Sequence, residues 1–185
     1  MKIVPSGVQS PRQHGRTEEV ILFAVSGHTF AIAASAIEEI RSTDSFSSAT
    51  SEIALKDIPK VLHRLRRGRK WHYVVNACTH FDLPVSRPTL VLFLRHSCVA
   101  VLVDQIDRIE TISRLMVIPP SFSGQERVWY RGLTLIDDNV VPVLNSDGFL
   151  TRDELAQLGA LDDRAGLSSG NDVLPLPGET QGALL

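Results

Sequence analysis

A chain of 185 residues can bury one or two small hydrophobic cores, and a hydrophobic content of 43% fits a globular protein. The formal net charge of −2 argues against general affinity for nucleic acid or anionic membranes. Two cysteines, Cys78 and Cys98, rule out a disulfide framework, and no apolar run reaches the ~18 residues of a membrane span.

Residues 1–18 are polar, carry Pro5, Gly7, Pro11 and Gly15, and lack the apolar stretch of a secretory signal; a disordered tail is expected. Strand-like runs follow at about 19–26, 29–34 and 36–42, then a Ser/Thr-rich loop at 42–51. Between 55 and 68 the apolar residues Leu55, Ile58, Val61, Leu62 and Leu65 recur three or four apart, which predicts an amphipathic helix from about Pro59 to Gly68. A strand is expected at 71–77 and a linker at 81–88. Strands follow at 90–95, 98–103 and about 106–112, then a loop around Pro119 and Pro120. The stretch 128–145 reads as a hairpin turning at Asp137, Asp138 and Asn139. Thr151 with Glu154 three residues on forms a capping box, which predicts a short helix over 151–158; the remainder to 185 reads as disordered.

The chain repeats itself. FAIAASAIEEI at 30–40 is echoed by VAVLVDQIDRI at 99–109, an offset of 69 that aligns Ala31 with Ala100, Ile37 with Ile106 and Ile40 with Ile109. The apolar runs just upstream, at 20–27 and 89–97, also correspond. Two copies are too few for a solenoid and suit one small β unit, duplicated. The expected fold is all-β, two tandem five-stranded barrels of about 19–84 and 85–150, because closure removes exposed strand edges.

Candidate chemistry is sparse. Cys78-x-His80 and His96-x-Cys98 could in principle supply four zinc ligands, but the spacing differs from zinc knuckles, and buried cysteines beside unrelated histidines explain it more simply. No phosphate-binding glycine loop and no nucleophile motif is present. The charge is uneven: residues 56–72 hold seven Lys/Arg against one Asp, and 150–185 hold six Asp/Glu against two Arg. Arg64, Arg66, Arg67, Arg69 and Lys70 lie close to Trp71 and Tyr73. This segment reads as a solvated helix end, a patch for an acidic protein partner, or a single-strand nucleic-acid surface. Ile37, Ile40, Val103, Ile106 and Ile109 read mostly as core, with an apolar groove between the barrels as a seat for a partner helix.

Three motifs resemble CheW-like domains, the coupling proteins of chemotaxis. They are Ile37-Glu38-Glu39-Ile40 after an apolar strand, Val103-Asp104-Gln105-Ile106 closing a second apolar run, and the ending RGLTLIDDNVVPVLNSDGFL. The middle departs from the family: the Leu-Arg-Gly turn is shifted around Arg67 and Gly68, Tyr73 stands for a proline and Asn76 for an aspartate. The resemblance implies SH3-like barrels over 19–150, a short C-terminal helix within 151–185, and a cytoplasmic scaffold with no catalytic residue, cofactor or metal. The implied partners are the regulatory domain of a chemotaxis histidine kinase and the cytoplasmic tip of a chemoreceptor. The implied partner-binding residues are Ile37, Glu39 and Ile40, with Arg67 or Arg69 in the family's coupling turn. Ala100, Val103 and Ile106 would line the receptor groove. The alternatives are a CheW-like module of a non-motility pathway and a nucleic-acid-binding double barrel using residues 56–72.

Overall fold

The computed structural model describes residues 17–46, 50–52, 58–67, 70–124 and 126–168. The tails expected at 1–18 and toward 185 therefore lie almost wholly outside the described residues for 1–16, and outside them for 169–185. The chain forms β1 (Glu18–Val25), β2 (His28–Ala33), β3 (Ile37–Ser42), β4 (Thr50–Glu52), β5 (Val61–Arg67), β6 (Lys70–Asn76) and the short helix α1 (Ala77–His80). There follow β7 (Leu90–Leu94), β8 (Val99–Val103), β9 (Gln105–Ile112), α2 (Glu126–Trp129), β10 (Tyr130–Ile136), β11 (Asn139–Leu144) and α3 (Arg152–Ser168).

The strands make two sheets, as the fold class predicts: one of order β10-β11-β2-β1-β9, the other β3-β7-β8-β6-β5 with the three-residue β4 on its edge. They are not sorted by sequence half. The hairpin β1–β2 joins β9, β10 and β11, and the hairpin β7–β8 joins β3, β5 and β6. The first half therefore gives two strands to one sheet and four, counting β4, to the other, and the second half gives three and two. The echoed sentence is the crossing point. In the first copy the chain leaves β2 in one sheet for β3 in the other; in the second it returns from β8 to β9. The repeat extends to detail. Glu38 is the extra residue of a β-bulge between Ile37 and Glu39, and its counterpart Asp107 is the extra residue between Ile106 and Arg108.

The segment 61–67 is a strand, not the predicted helix. Ile58 and Val61 close a turn containing Pro59 (Val61 N–H to the Ile58 carbonyl, 3.0 Å), so no helix runs through it. The bulge at Leu62 sets Val61 opposite Val75 and His63 opposite Val74. Val61 and Leu65, four residues apart, are both buried but serve opposite faces of the sheet. A phase slip in a strand thus copied helical spacing.

The first barrel interior holds Val20, Leu22, Ala31, Ile112, Val141 and Val143; the second holds Leu65, Val74, Phe93, Ala100 and Leu102. Intervening residues such as Ile21, Val75, Val99 and Val101 are also buried. They occupy the opposite faces, where β1 of one barrel meets β8 of the other. Asp104, between β8 and β9, bolts the crossing. Its carboxylate accepts from the Ser26 N–H (2.6 Å) and the Ser86 hydroxyl (2.5 Å), and its own N–H donates to the Ala24 carbonyl (3.0 Å).

The hairpins turn where expected. Asp137 (φ 50°) and Asp138 (φ 61°) take the left-handed conformations of a two-residue turn, as do Ser26 and Gly27. The first barrel closes through a backbone bridge between Met116 and Leu133 (2.7 and 2.9 Å). Gly132 makes this possible, since a Cβ there would lie 2.5 Å from the Met116 carbonyl oxygen. The described residues from Leu150 onward belong to a second unit. Its helix starts with the predicted capping box: the Thr151 N–H donates to Glu154 Oε2 (2.7 Å) and the Glu154 N–H to Thr151 Oγ1 (3.2 Å). At 17 residues it runs ten beyond the predicted end, into the stretch read as disordered.

Candidate partner-binding surface

The crossing strands β3 and β9 carry the candidate site. Each must change sheets, so each bulges and re-aims its side chains. The predicted residues divide into three groups. Ile37 is buried at the start of β3, while Ile40 further along is 39% exposed. Ile106, the counterpart of Ile37, is half-buried on β9, and Ile109, the counterpart of Ile40, is 63% exposed. Ala100 and Val103 are fully buried. They do not line a groove: Ala100 packs in the second barrel interior with Phe93 and Val74. Apolar β-strand periodicity does not separate a core alanine from a groove alanine.

Glu39 and Arg67, distant in sequence, come together. The Arg67 guanidinium donates to Glu39 (2.6 Å) and to Glu38 (3.1 Å), and Arg41 also donates to Glu39. Arg67 lies over the Phe93 ring, 4.8 Å from its centroid. The pair spans the gap between β3 and β5, the two strands that border the mouth of the second barrel. The hydrogen bond from Arg41, with Arg67 adding its charge, holds the Glu39 carboxyl below its ordinary pKa. The same joint recurs in the first barrel with polarity reversed: Arg108 of β9 donates to Asp137 at the β10–β11 turn (2.5 Å). Arg108, aligned with Glu39 at the offset of 69, had no role in the sequence reading. The repeat itself was the signal that could have found it. Arg69 lies outside the described residues.

Beneath Arg67, His72 is buried edge-on to Phe93 (5.4 Å), and its Nδ1 has no hydrogen-bond partner. Burial, and secondarily the Arg67 charge, lowers its pKa. The zinc reading finds no support. Cys78 lies against the Ser86 hydroxyl (3.1 Å), and His80 packs among Phe81, Trp129 and Phe149. Among the described residues no three His, Cys, Asp or Glu side chains gather as metal ligands. Asn76 stands where the family's aspartate was expected and caps α1, accepting from the N–H groups of Cys78 and Thr79.

Two interlocked β-barrels, each presenting a bulged crossing strand with an exposed isoleucine and an adjoining ion pair, define a protein-docking module. The comparisons give it a family. The CheW-like domain profile matches residues 19–154, and the chain belongs to that family. Among solved structures it is similar to the scaffolding protein TtCheW from Thermoanaerobacter tengcongensis, with a TM-score of 0.58 and 11% sequence identity over 69% of this chain and 88% of that one. No curated protein sequence matches. Family membership supports a scaffold or adaptor role in chemotaxis-type signalling, and a non-enzymatic one. No helix among the described residues is long and apolar enough to cross a membrane.

Proposed function

We propose that the protein is a cytoplasmic adaptor that couples chemoreceptors to a chemotaxis histidine kinase without catalysing a reaction. The observation that carries this reading is the pair of equivalent crossing strands on separate barrels. They expose Ile40 beside Glu39 on one and Ile109 beside Arg108 on the other. A coupling protein needs two surfaces that act independently, and a duplicated barrel supplies them. Glu39, Ile40 and Arg67 would face the kinase regulatory domain, and Ile106 with its exposed neighbours on β9 would take the helical receptor tip. Ile37, Ala100 and Val103 would act indirectly, by holding these strands in place.

The test is a pull-down with the kinase regulatory domain and the receptor tip from the same organism. Glu39→Ala should weaken kinase capture, and Ile106→Arg should abolish receptor capture while sparing the kinase. Failure of the wild type to bind either partner would overturn the proposal in favour of a CheW-like module of another pathway.

A further inference from the structure

Outside the crossing strands, the face of β5–β6 turned away from the second barrel interior carries an unusual group. Arg66 stands opposite Trp71 and Arg64 opposite Tyr73, which places all four on that face. The Arg64 guanidinium lies 4.3 Å from the Trp71 ring centroid and that of Arg66 lies 5.7 Å from it. Exposed Leu62 is on the same strand as the two arginines. Arg66 is exposed and has no acidic partner among the described residues, whereas Arg67, on the other face opposite Lys70, is neutralised by Glu38 and Glu39.

We propose that this face docks an acidic protein segment, one that presents Asp or Glu side chains to Arg66. Three observations select that occupant. First, Arg66 is an exposed guanidinium held on the Trp71 ring with no acidic partner among the described residues, which makes it a seat for a carboxylate through a charge-assisted hydrogen bond. Second, stacking on an indole fixes guanidinium planes before binding, so less side-chain entropy is lost, and Arg and Trp are the residues that dominate interface hot spots. Third, the Trp71 ring is taken up by two guanidinium groups, which disfavours the base stacking that a single-stranded nucleic acid needs.

The experiment is fluorescence anisotropy on the full chain with three labelled probes: a peptide of alternating glutamate and serine, its glutamine counterpart, and a single-stranded oligothymidylate. The glutamate peptide should bind in preference to both others. Arg66→Glu should weaken it roughly tenfold or more, as expected for loss of a charge-assisted hydrogen bond and its replacement by repulsion. Lys70→Glu, on the opposite face of the same hairpin, should weaken it to a lesser degree, and Val85→Ala, at an exposed position outside the patch, should leave it unchanged. Thermal melts confirm that the variants are folded. Equal binding of the glutamate and glutamine peptides, or insensitivity to Arg66→Glu, would overturn the proposal. Tighter, steeply salt-dependent binding of the oligothymidylate, lost in Arg66→Glu, would overturn it in favour of a nucleic-acid surface.

Discussion

His80 should make this fold sensitive to acid. Its imidazole sits 4.6 Å from Trp129, 4.7 Å from Phe81 and 5.1 Å from Phe149, ring centre to ring centre, and is 5% exposed. Burial, with a smaller push from the Lys60 charge, lowers its pKa from 6.5 to about 3. The folded protein therefore keeps His80 neutral at pH values where the unfolded chain protonates it. The unfolded state binds more protons below 6.5, so stability falls as the pH drops from there toward 3. From pH 7.5 to pH 5 that difference costs about 2 kcal/mol, against a total stability on the order of 5–15 kcal/mol. Urea unfolding at the two pH values, in wild type and in His80→Leu, measures it. Whatever leucine itself costs at neutral pH, the variant should lose about 2 kcal/mol less than the wild type on acidification. His72, whose pKa is also lowered by burial, should leave a residual loss in both proteins. Equal losses would refute the reasoning and show that the aromatic nest hydrates or rearranges before it excludes the proton.

Gly132→Ala should destabilise the first barrel by roughly 1–3 kcal/mol, because the new Cβ would press on the Met116 carbonyl and on Leu115; chemical denaturation measures it. A double-mutant cycle on Glu39 and Arg67 should give a coupling of about 1 kcal/mol or less in stability, since both side chains are partly solvated. A much larger coupling would make the pair a core closure rather than a docking feature. Thr151→Ala should cost about 1 kcal/mol at the start of α3, seen as faster amide exchange over the first turn of the helix.

The amino-acid sequence was enough for the local structure. Asp137-Asp138 and Ser26-Gly27 tolerate positive φ, so their hairpins are written where they occur. The Thr151–Glu154 box starts a helix because its two hydrogen bonds need only residues three apart. The offset of 69 disclosed a duplicated β unit, and the echoed motifs pointed to the family. The partnerships between strands were not legible. Nothing local says that β3 pairs with β7 while β1 pairs with β9, because strand exchange between barrels is decided by which hydrophobic faces can be covered together. The bulge at Leu62 turned strand spacing into apparent helix spacing, because a backbone insertion exists only relative to a partner strand. Burial divided residues that look alike in sequence: Ala100 and Val103 went to the interior, while Ile40 and Ile109 came to the surface past equivalent bulges. Arg67 found Glu39 only when the second barrel brought β3 and β5 together, and Arg66, its neighbour by one residue, was sent to the opposite face to meet Trp71. Periodicity is a property of one segment; which face is open and which charge is answered are properties of the packed whole.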